Sequence, residues 1–390
     1  MIAVEEAVAR IVAALKPLES ERVALGAAAG RILAADAHAR SDQPPFAVSM
    51  MDGYAVRSAD TGSRRMIGSA PAGHPFSGTL GPGEALRLFT GSVVPDGADA
   101  VLAQEDAHRD GDHVRFTETA ETGKFIRPRG LDFQAGSLLA ARGRRLTPRD
   151  LALLAAADLA DVMVRKRPVI AFAATGDELS LPGQPRKAGG ITASSVYGLE
   201  AMIVQWGGEP RNLGILPDKP EAIAALAKEE CDLLVTLGGA SVGDHDLVQS
   251  ALGPQGFALD FWKIAMRPGK PLIFGRLGAM PLLGLPGNPV SSLVCALLFL
   301  RPAIGAMLDC ETDFPLKPAR LIGSLAANNA RQDYLRAVSE WRGGELWVRP
   351  FSAQDSSMLK IFSQSDVLLV RKPHAPALSD GAAVDILPLD

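Results

Sequence analysis

At 390 residues the chain exceeds the about 250–300 residues at which a single core usually stops growing, so several folded units, about two to four, are expected. Hydrophobic residues make up 47% and charged residues 22%, the balance of a soluble globular protein with substantial cores, for which disorder is not the default expectation. The formal charge of -4 lacks the basic footprint that drives nonspecific polynucleotide binding, so no nucleic acid partner is expected and any anion site must be local.

In chain order, Val4, Ala7, Val8, Ile11, Val12 and Leu15 recur at helical spacing, which predicts an amphipathic helix ended by Pro17. Its opening Glu5 and Glu6 are foreign to a secretory signal. The longest apolar run, Leu293 to Leu300, is too short to cross a bilayer. No membrane insertion and a cytoplasmic location are therefore expected. A second helix is predicted over Thr147 to Leu159, with Thr147 as cap, Pro148 in the first turn and Asp150 at the capping-box position. Residues 1–44 with 139–167 thus read as a discontinuous helical platform. Its Ala-rich faces suit intramolecular packing and a second copy of the chain equally well.

Between the helices, residues 45–138 alternate short apolar runs with Gly-Pro, Pro-Asp-Gly and Arg-Pro-Arg-Gly turn signals, the pattern of a β-rich insertion. Residues 168–312 alternate strands (Val169 to Ala173, Leu213 to Leu216, Leu233 to Leu237, Phe257 to Ile264, Pro271 to Phe274, Pro281 to Leu285) with helices near Ser195 to Trp206, from Pro220 and from Pro289. That alternation predicts a doubly wound, mainly parallel α/β domain, whose ligands bind at the carboxyl ends of the strands. From residue 313 to 390 the helices disappear and short strands predict a small C-terminal β domain. The fold class is therefore α/β multidomain. Cys231, Cys295 and Cys310 have no Cys-x-x-Cys spacing and read as reduced, structural residues.

Three polar, Gly-rich loops each follow an apolar strand and should meet at one sheet edge. The first, Ala174-Thr-Gly-Asp-Glu-Leu179, offers Thr175, a flexible Gly176 and the carboxylates Asp177 and Glu178, suited to proton transfer, substrate orientation or Mg2+ binding. The second, Leu237-Gly-Gly-Ala-Ser-Val-Gly-Asp-His-Asp246, has Gly238, Gly239 and Gly243, which let backbone N–H groups approach an oxyanion or a flat ring, and the Ser241 hydroxyl. Asp244 and Asp246 serve either a ligand or the cap of the next helix. The third, Gly284-Leu-Pro-Gly-Asn-Pro-Val290, places Pro286, Gly287, Asn288 and Pro289 at the start of a long apolar helix, with Asn288 as the cap, a ready anion site and equally an ordinary helix start. Between the last two loops, Trp262-Lys-Ile-Ala-Met-Arg-Pro-Gly-Lys-Pro271 carries Lys263, Arg267 and Lys270 as oxyanion donors. No Walker lysine motif, dinucleotide fingerprint or zinc spacing occurs in the sequence.

The order of these motifs resembles the MoeA/gephyrin E-domain family along essentially the whole chain. Pro44-Pro-Phe-Ala-Val-Ser-Met-Met-Asp-Gly-Tyr-Ala-Val-Arg57 is similar to the family's acidic signature, and Phe89-Thr-Gly-Ser-Val-Val-Pro-Asp-Gly-Ala-Asp-Ala-Val101 to the next one. Ile126-Arg-Pro-Arg-Gly-Leu-Asp132, Met266-Arg-Pro-Gly-Lys-Pro271, Tyr334-Leu-Arg336 and Gln354-Asp-Ser-Ser-Met-Leu359 also match. The resemblance implies a homodimer whose active cleft pairs the α/β domain of one chain with the β insertion of the other. It implies a molybdenum insertase that joins adenylylated molybdopterin to molybdate and releases AMP, assisted by Mg2+.

Carried over, Asp52, Glu178 and Asp218 would be catalytic, with Thr90 and Asp132 beside them. Ser241, Arg267, Lys270, Pro271, Arg336 and Ser356 would surround molybdate. The Mg2+ candidates are Asp177, Glu178, Asp244 and Asp246. Molybdopterin adenylyltransferase and recipient molybdoenzymes are the implied further partners. Asp218-Lys-Pro-Glu221 reads equally as a capping box. Ala47, Val48, Leu131, Ala193 and Ser195 stand where the family usually has acidic or amide residues, and Arg267 stands where a Lys is common. These departures motivate a second reading, a divergent paralogue that binds or carries molybdopterin or finished cofactor without inserting metal.

Overall fold

The computed structural model describes residues 1–239, 247–311 and 315–389. Two compact units form, one from Met1–Glu21 with Arg165–Asp390 and the other from Arg22–Val164. The first unit opens with helix α1 (Val4–Ala14), which buries Val4, Ala7 and Ile11 as its periodicity predicts. Arg10 reaches Asp260 and lies over the Phe261 ring, and Arg276 Nη2 donates to Ala14 O at 2.6 Å. The helix thus belongs to the α/β unit, which corrects the expected platform of residues 1–44 with 139–167. Helical spacing shows that one face is buried and leaves its partner open. The remainder of that platform does form in the second unit. There Ala28, Leu33, Leu146, Leu154 and Val164 share a core, and the helix Pro148–Ala156 carries the expected capping box of Thr147 and Asp150.

The α/β unit is organised on a six-stranded sheet. Its members are β1 (Val169–Thr175), β2 (Glu209–Leu216), β3 (Leu233–Leu237), β4 (Phe257–Trp262), β5 (Ile273–Leu277) and β6 (Met280–Leu285), with helix α2 (Ser195–Trp206) between β1 and β2. The spatial order is β2-β1-β3-β6-β5-β4. The first four strands are parallel, while β5 and β4 return antiparallel. Ile170, Phe172, Leu234, Val235 and Leu283 are fully buried, as expected of central strands covered on both faces.

After β6 the chain enters helix α3 (Pro289–Leu308), 20 residues long and apolar enough by length and composition to cross a membrane. This corrects the shorter run read from the sequence. Arg301 and Pro302 interrupt the apolar pattern, yet the helix continues through a π-helical stretch at Ala296–Leu300, and Pro302 falls at the start of the following turn. Of its most apolar window, 89% is buried inside the protein, so it serves as a core helix.

The C-terminal part forms β7 (Lys317–Leu321), β8 (Gln332–Arg342), β9 (Glu345–Pro350), β10 (Val367–Arg371) and β11 (Ala383–Pro388). The order β8-β9-β7-β11-β10 closes through a β10–β8 pairing into a small barrel. Leu335 and Ala337 contribute to its core, which places Tyr334 and Arg336 on the opposite face of β8 because side chains alternate along a strand. One helix, Leu359–Gln364, interrupts the expected all-β stretch.

In the second unit, six strands pair in the order Ala100–Ala103, Gly53–Val56, Glu84–Leu88, Arg64–Ala70, His113–Phe116, Ala107–Asp110. Tyr54, Val56 and Leu102 bury one face and Ala55, Leu86 and Val101 the other. The β-rich insertion is as expected.

Candidate functional site

In the α/β sheet β1 lies between β2 and β3, so the chain leaves it toward one side and later returns on the other. Open α/β sheets bind ligands outside the carboxyl ends of the strands at such a reversal. A cavity of about 890 Å³ opens there. Its wall takes Thr175 from the end of β1, Gly176 and Glu178 from the loop that follows, Asp218 from the loop after β2, Gly238 and Gly239 after β3, and Pro286, Gly287, Asn288 and Pro289 where α3 begins. The three loops expected to converge therefore do so in their described parts. Ser241, Gly243, Asp244 and Asp246 lie outside the described residues.

Backbone approach at this point is close. Gly238 has φ +93, and a Cβ there would sit 3.0 Å from Thr175 O and 3.9 Å from the Gly287 Cα. A side chain there would crowd Thr175 at the end of β1, and the positive φ itself favours glycine. Glu178 and Asp218 are the charged residues of the described wall. Asp177 is held beside it, its N–H donating to Asp218 Oδ2 at 3.3 Å while its Oδ1 accepts from Asp218 N at 3.4 Å.

Two capping expectations are corrected. The helix after Asp218 begins at Pro220 with Lys219 as its N-cap, so Asp218 caps nothing and faces the cavity instead. Proline at the first helical position fixes where that helix starts. Asn288 occupies the N-cap of α3 without a side-chain cap bond, and its Nδ2 donates to Ser356 Oγ at 2.9 Å. That contact joins the third loop to the segment after β9, where Ser357 lines the cavity.

Behind Ser357 lies a buried cation. Arg336 is 1% exposed, and its Nη2 donates to Asp355 O at 3.3 Å, while its Nε has no partner among the described residues. Burial lowers its pKa, Asp355 opposes that shift and Arg267 adds to it. Asp355 is held low chiefly by the Ser357 hydroxyl and N–H.

The basic loop departs from expectation. Only Pro271 of it reaches the large cavity. Met266–Arg267 pairs in parallel with Gln332–Asp333, and Arg267 binds Asp333 through Nε at 3.1 Å and through Nη2. Arg267 lines a separate cavity of about 410 Å³ with Arg371. Lys263 has its Nζ 3.7 Å from the centroid of the Trp262 ring, and Lys270 is half-buried without lining either cavity. Strand pairing to the barrel, a nonlocal contact, redirects the loop.

Sequence reading missed Ile191, Thr192, Val196, Leu247 and Leu359, which also line the large cavity. The Gly-Gly before Ile191 and the serines opening α2 were available signals. Ala193 and Ser195, read as departures, are buried in the same wall.

In the Arg22–Val164 unit, Asp52 Oδ1 accepts from Thr90 N at 2.7 Å and from Thr90 Oγ1 at 2.9 Å. The Thr90 N–H and then its hydroxyl hold the Asp52 carboxyl below its ordinary value, aided by Arg87. Arg87 stacks over Tyr54 and Phe89. Asp132 is exposed, and its N–H donates to Gln43 O at 2.9 Å. Phe46 (58% exposed), Leu131 (59%), Met50 and Phe89 leave apolar surface in the same stretches. Among the described residues no group of three or more His, Cys, Asp or Glu could hold a metal ion.

Comparison with known proteins gives a consistent result along the chain. Residues 2–157 match the family model "MoeA N-terminal region (domain I and II)", residues 171–306 match "Probable molybdopterin binding domain", and residues 318–389 match "MoeA C-terminal region (domain IV)". The molybdopterin molybdenumtransferase of Haemophilus influenzae is 33% identical over 96% of this chain and 95% of its own length. That of Nostoc sp. is 38% identical over 73% and 69%. The molybdopterin biosynthesis MoeA protein of Pyrococcus horikoshii superposes with a TM-score of 0.86 at 30% identity, covering 100% of this chain and 99% of its own. Matched along its length in sequence and in fold, this chain belongs to the MoeA family, in which the Haemophilus influenzae and Nostoc relatives bear the name molybdopterin molybdenumtransferase.

Proposed function

We propose that the chain is a molybdenum insertase in molybdenum cofactor biosynthesis, joining molybdate to adenylylated molybdopterin with release of AMP. The observation that supports this most is the convergence of Thr175, Gly176, Glu178, Asp218, Gly238, Gly239 and the start of α3 on one cavity of about 890 Å³, a size suited to a small ligand. Glycines there admit a phosphate or a flat ring against backbone N–H groups. Glu178 and Asp218 supply two oxygen donors on one wall, and Mg2+ is commonly held by one or two carboxylates with substrate phosphates completing its shell. When bound, Mg2+ would neutralise charge developing on the phosphates.

Molybdate, a dianion, needs fixed positive charge and hydroxyl donors. Arg336, whose Nε has no partner among the described residues, the serines Ser356 and Ser357, and Pro271 with the adjoining Lys270 are the groups we assign to it. Arg267, held by Asp333, acts on this subsite through its charge. Asp52, ionised and held in place by Thr90, is assigned to the cleft of a second copy, which makes the working form a homodimer. Molybdopterin adenylyltransferase would supply the substrate and recipient molybdoenzymes would take the product.

Incubation with adenylylated molybdopterin, molybdate and Mg2+ should release AMP and cofactor together. Absence of AMP under conditions where the Haemophilus influenzae relative turns over would defeat the proposal. A second reading, a carrier that binds pterin without inserting metal, is favoured by Ala193 and Ser195, which line the cavity without adding a charge. Tight pterin binding with no AMP would select it.

A further inference from the structure

We infer that Gly176 is a positioning residue, whose missing side chain fixes where the Glu178 carboxylate stands in the cavity. The inference rests on the assignment of Glu178 to the reaction. A Cβ built on Gly176 would lie 2.4 Å from Glu178 Oε2 and 2.8 Å from both Cδ and Oε1. The whole carboxylate therefore occupies the volume that any other residue at 176 would fill.

The backbone around Glu178 leaves little room to adjust. Leu179 N donates to Gly176 O at 3.2 Å, closing a tight turn, and Ile191 N donates to Glu178 O at 2.8 Å. Gly176 is itself tied to the sheet through its N–H to Leu216 O at 3.2 Å. Among the described residues no hydrogen bond or ion pair holds the carboxylate. With the main chain pinned on both sides, a methyl group at 176 would be accommodated by rotation of the Glu178 side chain, because the atoms it meets are the far end of a flexible group. The carboxylate moves and the loop stays.

Gly176 also has φ +149, a region that an L side chain rarely adopts. Loop strain is thus the competing explanation of any Gly176→Ala defect, and a double-mutant cycle separates the two. Four full-length proteins are compared for AMP release and thermal unfolding: wild type, Gly176→Ala, Glu178→Ala and the double variant. Displacement of a reacting group by about 1 Å can cost on the order of 100-fold, so Gly176→Ala should lose about 10- to 100-fold in kcat/KM. In the Glu178→Ala background the same substitution should cost less than about twofold, since no carboxylate remains to displace.

A rescue adds a second arm. Glu178→Asp withdraws the carboxylate by one methylene, and Gly176→Ala with Glu178→Asp should be more active than Gly176→Ala alone. Equal losses in both backgrounds, with no rescue, would mean that strain explains the defect, and the inference would fall while the role of Glu178 stands. Full activity of Glu178→Ala would overturn both. Gly176→Ala should keep the wild-type thermal midpoint to within a few degrees; its unfolding, with or without Glu178→Ala, would mean that the carboxylate cannot simply swing aside, and would refute the inference.

Discussion

The cavity at the carboxyl edge of the α/β sheet and the Asp52 corner of the Arg22–Val164 unit hold carboxylates in contrasting ways. In the cavity, Glu178 and Asp218 stand on loops anchored to fully buried strands, within a concavity large enough for a small ligand. Their positions come from glycine geometry and reciprocal loop contacts. Asp52 is instead half-buried, with a single oxygen taking both a peptide N–H and a hydroxyl from Thr90. Exposed Phe46 and Met50 share its stretch of chain, and Phe89 adjoins Thr90. The first arrangement sets two carboxylates around a concavity, while the second fixes one ionised group through two hydrogen bonds from a single neighbouring residue.

The difference is breakable by substitution. Glu178→Gln keeps the shape and removes the charge, and the loss of a preorganised electrostatic group should lower AMP release on the order of 100-fold with unchanged thermal midpoint. A loss under about threefold would strip Glu178 of its role. Arg336→Gln tests the buried cation behind Ser357. Hydrogen bonds to charged groups contribute about 1.5–3 kcal/mol, so half-saturation by molybdate should rise roughly 10- to 100-fold, with binding of the pterin unaffected. Unchanged molybdate dependence would move the oxyanion subsite away from Arg336.

How much of this was legible in the sequence differs between the same two regions. The strand-end loops were readable because apolar runs stop at Gly, Asp and Pro, and those residues have local reasons to be there. The pairing of Arg267 with Asp333 was not, because strand partners 66 residues apart leave no local signature. The burial of Arg336 was equally hidden, since it faces outward from a barrel whose outer surface is itself covered. Asp218 illustrates a local rule misapplied: a proline at 220 moved the cap to Lys219 and left the carboxylate for the cavity. Helix α1 was correctly periodic, yet periodicity carried no information about which core it joins.

Thr147→Ala should act on the Arg22–Val164 unit alone. It removes the hydroxyl half of a capping box, in which Thr147 Oγ1 accepts from Asp150 N at 3.3 Å, and keeps the backbone half, in which Asp150 Oδ2 accepts from Thr147 N at 2.8 Å. The expected cost is about 1 kcal/mol of stability, read as a lower midpoint in denaturant with kcat retained. A matching fall in kcat would tie this cap to the chemistry.

The smallest effect expected is at Asp52. Thr90→Val keeps the peptide N–H, the larger of the two Thr90 contributions, and removes the hydroxyl. The folded-state pKa of Asp52 should therefore rise toward the ordinary carboxylate value without reaching it. A carboxyl whose folded pKa is depressed contributes stability that is present above its unfolded pKa and lost as pH falls through the folded one. Its titration lies below the ordinary carboxylate range in the wild type, so Thr90→Val should leave neutral-pH activity unchanged and move the acid limb of the pH profile upward. Site-resolved NMR titration of the Asp52 carboxyl checks this directly. An upward move of the NMR titration without a shift in the acid limb would keep the local electrostatics and remove Asp52 from the reaction.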